Sequence, residues 1–182
     1  MNILPNHLGG SEGETHIDEG ALKFIIGATG AKSMLDVGCG PGGMVQCAHT
    51  QGLAAWGVDG DSTLERGNLP VYIHDFTTGP VALKRTFDLC WSVEFVEHVE
   101  EKYMDNYIQA FQQCKFLMMT HAFPGQGGHH HVNEKPSAYW IDKMTEAGFI
   151  FEPQMTDTIR RASTMKQFFI RQHGLFFKNG RI

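Results

Sequence analysis

The sequence predicts a doubly wound α/β fold, in which a mostly parallel β-sheet is covered by helices on both faces. Short apolar segments of strand character alternate with amphipathic segments of helical period along the chain. Repeated strand–helix units imply parallel strands, because parallel neighbours are joined by crossover connections that cover the sheet. A length of 182 residues, 42% of them hydrophobic and 19% charged, is typical of one globular domain. We therefore treat residues 1–182 as a single unit.

The first half of the chain predicts four strands and two helices. An N-terminal arm, residues 1–17, leads into a helix at about residues 18–28. A second helix at residues 44–52 ends at Gly52. The segments of strand character are residues 32–38, 54–60, 70–76 and 86–92. Only about ten residues separate the second and third strands, so any crossover helix there is short.

The second half begins with an amphipathic helix, predicted by apolar residues that recur at helical spacing: Met104, Tyr107, Ile108 and Phe111. A fifth strand at residues 115–122 leads into a glycine- and histidine-rich loop, residues 122–136. Ser137 as N-cap and Gly148 as C-cap delimit the next helix. The remaining elements are a sixth strand at 149–152, a basic helix around 157–173 closed by Gly174, and a seventh strand at 175–178.

Composition excludes several classes of protein. No apolar run approaches the roughly 20 residues that span a bilayer, and the N-terminal sequence lacks the pattern of a signal peptide. The cysteines are scattered without a CxxC pair and predict reduced thiols: Cys39, Cys47, Cys90 and Cys114. We therefore expect a soluble, cytoplasmic protein without a membrane partner. The sequence indicates no oligomeric state.

Charge is distributed unevenly along the chain. Residues 158–182 contain six Lys or Arg and no acid, whereas the chain as a whole carries a net charge of −5. The basic tail predicts either an anionic partner at that end or an ordinary solvated face. A nucleic-acid partner is disfavoured, because nucleic-acid binding normally needs a basic stripe on a basic domain.

A glycine-rich turn follows the first predicted strand. Gly38, Gly40 and Gly43 match GxGxxG, and Asp59 follows about twenty residues later, as in dinucleotide-binding proteins. Asp36, two positions before the first glycine, favours another ligand, because its carboxylate suits a cationic amine or sulfonium and repels a pyrophosphate. The chain is also too short for the substrate domain that a dehydrogenase usually adds.

Four segments resemble, in the same order, the motifs of class I S-adenosylmethionine-dependent methyltransferases: LDVGCGPGG, WGVDGD, YIHDF and FDLCWSVEFVEHV. The resemblance covers nearly the whole chain. It implies a Rossmann-like sheet of seven strands with the last strand antiparallel. It also implies S-adenosylmethionine bound at the carboxyl ends of the first strands, where open α/β sheets bind ligands.

Matched position by position, the resemblance implies cofactor contacts at Gly38, Cys39, Gly40, Gly42, Asp59, Gly60, Asp75, Phe76 and Trp91. The glycine turn would line the methionine part, and the two carboxylate oxygens of Asp59 would take the ribose hydroxyls. Asp75 would accept from the adenine amino group beside Phe76, and Trp91 would lie near the amine. The alternative for both acids is that they cap helix N-termini.

The segment VEFVEHV would place Glu94, Glu97 and His98 on one helical face. Two carboxylates and an imidazole form a mixed site suited to Mg²⁺ or Mn²⁺. The pattern is similar to that of metal-dependent family members, including ubiquinone-biosynthesis O-methyltransferases and small-RNA 3′-terminal 2′-O-methyltransferases. In the latter a further histidine follows the fifth strand, which His131 matches as a fourth ligand. Alternatively, the acids only offset a helix dipole.

Transfer to a hydroxyl also requires removal of its proton, by a metal-activated route or by a general base. Without a metal, His121 at the end of the fifth strand is the best candidate for the base, and His98 is another. We expect O-methylation of a small molecule or glycan. The alternatives are a metal-dependent 2′-O-methyltransferase acting on an RNA end, and a module that binds S-adenosylmethionine without catalysis.

Overall fold

A seven-stranded sheet with the order β3-β2-β1-β4-β5-β7-β6 forms the centre of the computed structural model, which describes residues 5–8 and 13–182. The strands are β1 Ser33–Val37, β2 Ala54–Asp59, β3 Val71–Ile73, β4 Phe87–Ser92, β5 Cys114–Met119, β6 Phe149–Phe151 and β7 Leu175–Asn179. Strands β1 to β5 pair in parallel, and β7 runs antiparallel to both β5 and β6. The predicted fold class is confirmed, including the antiparallel last strand.

Helices cover both faces of the sheet. They are α1 Glu19–Thr29, α2 Gly43–Thr50, α3 Met104–Phe111, α4 Ser137–Glu146, α5 Pro153–Ala162 and α6 Phe169–His173. Two separate clusters of buried residues form the core, one on each face. One cluster takes its helical residues from α3 and α4, and the other takes them from α1, α2, α5 and α6. Among the described residues, no helix is long and apolar enough to cross a membrane.

Helix α1 has caps at both ends that its sequence supplies. The Asp18 carboxylate accepts a hydrogen bond from the Ala21 N–H at 3.0 Å, and Gly30 ends the helix at φ 70°. Asp18 is fully buried and also accepts from the Thr164 N–H at 2.9 Å. The same carboxylate therefore caps α1 and ties it to the segment that follows α5.

The predicted basic helix at 157–173 is wrong, because this segment contains two helices and an irregular linker. Helix α5 begins at Pro153, a favourable first residue for a helix, and stops before Ser163, whose ψ is 128°. The Arg171 guanidinium donates to the carbonyls of Lys166 and Gln167 at 3.2 and 3.0 Å. These bonds satisfy the linker carbonyls, so this basic residue has a structural role.

The predicted caps of α4 also need correction. Pro136 occupies the N-cap position, and Ser137 is the first helical residue. The Ser137 hydroxyl lies 2.9 Å from Nε2 of His121 instead of bonding the helix backbone. At the other end Ala147 is the C-cap, and Gly148 follows it at φ 94°. Residues 120–136, between β5 and α4, form neither helix nor strand.

Candidate active site

A cavity of about 500 Å³ lies at the carboxyl ends of β1, β2 and β4. Asp36 and Gly38 line it from β1, Asp59 lines it from β2, and Trp91 lines it from β4. This is the edge of an open α/β sheet at which ligands bind, because the loops after the parallel strands diverge there. The cavity has two ends that differ in chemistry: a glycine-turn end and a carboxylate–histidine end.

The glycine turn requires its glycines at two positions in particular. Gly38 has φ 80° and Gly42 has φ 91°, in the left-handed region that other residues avoid. A Cβ atom at Gly38 would collide with the Phe95 ring, and one at Gly42 would lie 2.7 Å from Cδ1 of Leu69. Gly38, Cys39 and Gly40 line the cavity. Gly42, which was also predicted to contact the cofactor, is not among the lining residues and occupies the N-cap position of α2.

Asp59 is held by three protein donors. Its Oδ2 accepts from the Gly40 N–H at 2.8 Å, and its Oδ1 accepts from the Asp61 N–H at 2.8 Å and from Arg66 at 2.9 Å. Burial raises the pKa of Asp59, although these donors act in the opposite direction. Both carboxylate oxygens already accept bonds, so Oδ2 is the oxygen with a lone pair to spare for a ribose hydroxyl. Gly60, which follows, also lines the cavity.

Asp36 and Trp91 are directly paired across β1 and β4 and both line the cavity. Asp36 is 3% exposed. Burial, followed by the charge of Asp59, raises its pKa well above the ordinary value. A cationic group on a ligand would stabilise the charged form of Asp36, which burial disfavours. This agrees with the sequence analysis, in which the Asp36 carboxylate suits a cationic amine or sulfonium.

Asp75 and Phe76 lie at the far side of the glycine-turn end. The Asp75 Oδ1 caps a short 3₁₀ turn, Phe76–Thr78, by accepting from the Thr77 N–H at 2.8 Å, and its Oδ2 lies 2.9 Å from Nε2 of His7. Burial raises the pKa of Asp75, but the hydrogen bonds of His7 and Thr77 outweigh it and lower the pKa overall. Asp75 therefore acts as a cap and also lines the cavity.

The N-terminal arm and the histidine loop meet over this cavity. Asn6 and His7 line it from the arm, and the Asn6 carbonyl lies 3.1 Å from Nε2 of His129. Thr15 also lines it, and its hydroxyl accepts from the Gly43 N–H at 3.1 Å. Two segments far apart in sequence thus form the outer wall of the site. Residues 1–4 and 9–12 of the predicted arm lie outside the described residues.

At the carboxylate–histidine end, the predicted helix through Glu94, Glu97 and His98 is wrong. Glu94 has φ 54°, a left-handed conformation that interrupts a helix, and only Val96–His98 forms a 3₁₀ turn. The Thr120 hydroxyl accepts from the Glu94 N–H at 2.9 Å and supports this turn. The side chains converge through the loop instead of through a helical face.

Glu97, His98 and His131 form a cluster with one candidate ligand atom each, all within 4.8 Å of one another. The rings of His98 and His131 lie 4.9 Å apart between centroids. Glu94 lines the cavity beside them but does not belong to this cluster. Three of the four predicted ligands are therefore assembled, including the distant His131.

Three of the four carboxyl oxygens at this end lack a hydrogen-bond partner among the described residues. Glu97 is fully buried, and among the described residues neither of its oxygens has a hydrogen-bond partner, nor has Oε1 of Glu94. Burial raises the pKa of Glu94 to about 7. Burial and the neighbouring Glu94 charge raise the pKa of Glu97 well above its ordinary value. Burial also lowers the pKa of His98 to about 4, so this imidazole is neutral at physiological pH.

Hydrogen bonds orient both imidazoles. Nδ1 of His98 lies 2.9 Å from the His129 carbonyl, and Nδ1 of His131 lies 3.3 Å from Oε1 of Glu134. A carbonyl or a carboxylate only accepts, so each Nδ1 carries a proton, and a ring that is neutral then keeps a lone pair on Nε2. Glu134 also accepts from the Gly125 and Gly127 N–H groups, both at 2.6 Å. This is the arrangement of carboxylate-oriented histidines in metal sites.

The structure places the other predicted base, His121, outside this cavity. Its side chain is fully buried, with Nε2 against Ser137 and the ring stacked on Trp140 at 6.5 Å. Burial lowers the pKa of His121 to about 4. A base must reach the proton that it removes, so we do not assign this role to His121.

Three functional neighbours were missed by the sequence interpretation. Arg66 supports Asp59, His7 contacts Asp75, and Glu134 orients His131. Arg66 is the one basic residue of the short segment between β2 and β3. Its closeness in sequence to Asp59 is a signal that could have identified it as a partner of that carboxylate. His7 and Glu134 belong to loops without a periodic pattern, so no local signal identified them.

Within the basic tail, residues 158–182, Phe169 lines the cavity but no basic side chain does. Among the residues that the structure describes, neither a lysine nor an arginine lines the cavity. Arg160 donates from Nε to the Gly174 carbonyl at 2.9 Å, and Arg171 bonds the linker before α6. The tail therefore offers no anion site at this cavity.

A family model described as a methyltransferase domain matches residues 35–116, from β1 into β5. A search of curated proteins gives no match. Solved structures with a similar fold include a SAM-dependent methyltransferase from Archaeoglobus fulgidus, with 18% identity over 72% of this chain and 67% of that chain and a TM-score of 0.58. A sugar N-methyltransferase from Streptoalloteichus has 15% identity over 94% and 90%, with a TM-score of 0.67.

A magnesium protoporphyrin IX methyltransferase from Synechocystis, solved with bound SAM, has 16% identity over 87% of this chain and 76% of that chain, with a TM-score of 0.57. At such identities these likenesses establish the fold. The domain match covers the segment that supplies the glycine turn, Asp59, Asp75 and Trp91 to the cavity. Residues 35–116 of this chain are therefore similar to a methyltransferase domain, and the chain shares the fold of solved SAM-dependent methyltransferases.

Proposed function

We propose that this protein transfers a methyl group to an oxygen atom of a small molecule or glycan, with a divalent cation at the carboxylate–histidine end. The observation that carries the proposal is the placement of Glu97, His98 and His131 in one cluster beside the cofactor cavity. A methyltransferase needs a place for an acceptor next to its cofactor. Here that place lies beside groups that would bind a cation and polarise an oxygen acceptor.

The glycine-turn end would hold the cofactor. Asp36 would face the cationic amine, Asp59 would offer Oδ2 to a ribose hydroxyl, and Asp75 with Phe76 would lie at the adenine; all four residues line this cavity. When bound, S-adenosylmethionine supplies a methyl group already activated by the sulfonium, so the main task of the protein is to position the acceptor. The cavity is preorganised for this because Gly40 and Arg66 hold Asp59 in place.

The residues at the other end fit a divalent cation. Glu97 has two buried oxygens without a partner, and His98 and His131 keep Nε2 free. Mixed carboxylate and imidazole donors accept Mg²⁺, Mn²⁺ or a related ion, which would acidify a hydroxyl of the acceptor. Glu94 lines the cavity, and with a pKa of about 7 it is suited to take the proton of that hydroxyl.

The same cluster also favours the second candidate function, a metal-dependent 2′-O-methyltransferase acting on an RNA end. The lining of the cavity argues against it, because none of the described lining residues is a lysine or arginine. Recognition of an RNA end draws much of its affinity from phosphate contacts with such residues. We therefore place this function second.

A cofactor-binding module without catalysis is the third candidate. It leaves the buried carboxyl groups of Glu94 and Glu97 unexplained, since unpaired buried charges are costly to maintain. The left-handed Glu94 adds strain of a kind that concentrates at functional sites. Both observations favour an enzyme.

A screen of acceptor pools with a labelled methyl donor tests the proposal. We expect Mg²⁺- or Mn²⁺-dependent transfer to a hydroxyl-bearing small molecule or glycan, identified by mass spectrometry as an O-methyl product. Transfer to RNA ends alone would favour the second candidate. Tight cofactor binding without transfer to any pool, with metal present, would favour the third.

A further inference from the structure

The segment that joins β2 to β3 consists of turns and irregular backbone. Asp61 stabilises its first turn, because its Oδ1 accepts from the Thr63 N–H at 2.8 Å and from the Thr63 hydroxyl at 2.6 Å. In the next turn the Leu69 N–H donates to the Arg66 carbonyl at 3.1 Å. Leu69 lies so close to Gly42 that a Cβ atom there would be 2.7 Å from its Cδ1. The segment therefore packs against the glycine turn, and Arg66 lies beside this contact.

The Arg66 guanidinium bridges this segment and the glycine turn. Its Nε donates to the Gly40 carbonyl at 2.7 Å, one terminal nitrogen donates to the Asp61 carbonyl at 2.7 Å, and the other donates to Oδ1 of Asp59 at 2.9 Å. Three different nitrogens of one planar group make these bonds, which the single nitrogen of a lysine could not do. The Arg66 side chain is 6% exposed and does not line the active-site cavity. Any effect of Arg66 on a ligand in that cavity must therefore pass through Asp59 and Gly40.

The charge of Asp59 depends on side chains from several elements. Titratable or charged groups around it are Asp36 of β1, Cys39 of the glycine turn, Asp61 and Arg66 of the segment after β2, and His74 and Asp75 after β3. Burial raises the pKa of Asp59, whereas hydrogen bonds from two backbone N–H groups and the positive charge of Arg66 act in the opposite direction. The guanidinium therefore favours the charged form of Asp59, although a second buried acid, Asp36, lies nearby.

We propose that Arg66 is a positioning residue for the cofactor, which holds the Asp59 carboxylate and the glycine turn as one unit and keeps that carboxylate charged for a ribose hydroxyl. The inference rests on the cofactor site of the proposed function. A charged carboxylate accepts a stronger hydrogen bond from a hydroxyl than a protonated carboxyl group does. The bond to the Gly40 carbonyl fixes the turn that would line the methionine part. Arg66 thus connects the ribose and methionine parts of the site without touching the ligand.

Calorimetric titration with S-adenosylhomocysteine tests the inference in the unmodified protein, Arg66→Gln, Asp59→Asn and the double variant. We expect Arg66→Gln to weaken binding about tenfold, the loss expected for one hydrogen bond to a charged group. In the Asp59→Asn background the same change should cost at most about threefold, because the carboxylate charge is absent and mainly the Gly40 contact is left to lose. Equal losses in the two backgrounds would overturn a role that acts through the Asp59 charge.

The pH dependence of the same binding separates a charge effect from a loss of packing. Between about pH 8 and about pH 6, the affinity of Arg66→Gln should fall more steeply than that of the unmodified protein, because Asp59 without Arg66 is protonated at higher pH. Asp59→Asn and the double variant should respond to pH alike. Arg66→Lys keeps the charge but offers one nitrogen, so it should restore the original pH dependence and only part of the affinity. Identical pH dependence in Arg66→Gln and the unmodified protein would contradict the electrostatic role.

Arg161→Gln is the matched control, because Arg161 is an exposed residue of α5 that does not line the cavity. It should bind S-adenosylhomocysteine like the unmodified protein at every pH. Melting curves identify any variant that does not fold. If Arg66→Gln is one of them, Arg66→Lys decides, and an affinity equal to that of the unmodified protein refutes the inference. Failure of the unmodified protein to bind S-adenosylhomocysteine would overturn the proposed cofactor site, whereas normal binding by Arg66→Gln would overturn the role of Arg66 alone.

Discussion

The acidic residues at the two ends of the active-site cavity differ in whether the protein supplies hydrogen-bond donors to them. At the glycine-turn end, Asp59 accepts three hydrogen bonds from the protein, and Asp75 contacts Thr77 and His7. At the carboxylate–histidine end, Glu97 is more deeply buried, yet neither of its oxygens has a partner among the described residues.

This difference indicates that the protein itself supplies the donors to Asp59 and Asp75, whereas the Glu97 carboxylate would need a partner from outside the protein. A buried carboxylate with donors is tolerated, whereas an unpaired one is so costly that its pKa rises until it binds a proton. At the glycine-turn end, Asp36 is buried with a raised pKa, and it would face the expected cationic group of the cofactor. We infer that the protein supplies most of the cofactor site by itself and leaves the acceptor end to be neutralised by a cation.

The largest expected effect comes from removal of that cation. A chelator should lower turnover by about three orders of magnitude, since a metal contributes several kcal/mol to the transition state, and Mg²⁺ or Mn²⁺ should restore it. Glu97→Gln should reproduce this loss without rescue by the metal. Calorimetry with S-adenosylhomocysteine should show unchanged cofactor binding in both cases. Full turnover in excess chelator would contradict the metal site and leave Glu94 as the base.

At the glycine-turn end, the corresponding test is the substitution Asp59→Ala. We expect cofactor affinity to fall about 100-fold, because a charged hydrogen bond is lost and Arg66 is left without its carboxylate. The measurement is the thermal shift produced by S-adenosylmethionine, with calorimetry to give the dissociation constant. Asp157→Ala, which removes an exposed acid of α5, is the control and should retain the shift. Equal binding by Asp59→Ala would refute the ribose contact.

A smaller effect is expected for Glu134→Ala. Glu134 orients His131 and holds the Gly125 and Gly127 N–H groups, so its loss should weaken metal affinity about tenfold. Titration of Mn²⁺ followed by electron paramagnetic resonance measures this change. Glu146→Ala, which removes an exposed acid of α4, should leave the metal affinity unchanged. A normal affinity in Glu134→Ala would show that His131 does not need this partner.

The smallest effect concerns stability and pH. Burial raises the pKa of Glu94 to about 7 and that of Glu97 well above its usual range, so the folded protein binds protons more tightly than the unfolded chain. The metal-free protein should therefore lose stability as pH rises through the ordinary glutamate pKa, until the folded-state pKa values are passed.

Glu97→Gln tests whether the stability of the metal-free protein falls as pH rises. At about pH 8, where the carboxylate is most unfavourable, the metal-free variant should melt about 2–4 °C above the unmodified protein, and the difference should shrink at about pH 5. Mg²⁺ or Mn²⁺ should raise the melting temperature of the unmodified protein and not that of the variant. A variant that is less stable at both pH values would show that Glu97 is already neutralised within the protein.

Much of the fold and of the cofactor end was predictable because the signals are local. Apolar periodicity located the strands, and glycines that require positive φ marked the turn at Gly38. Prediction failed where contacts distant in sequence override local pattern. The helix expected at 157–173 is divided because Arg171 satisfies the linker carbonyls, which no local period reveals.

The sequence alone determined the order of strands and helices, the family motifs and the types of side chain available for chemistry. Only the tertiary structure decided which of them meet. It brought His131 to Glu97 and His98, set His7 against Asp75, and buried His121 away from the cavity. The physical reason is that short-range conformational preferences act within a few residues. The meeting of distant loops depends instead on the strand order of the whole sheet and on which faces the helices cover.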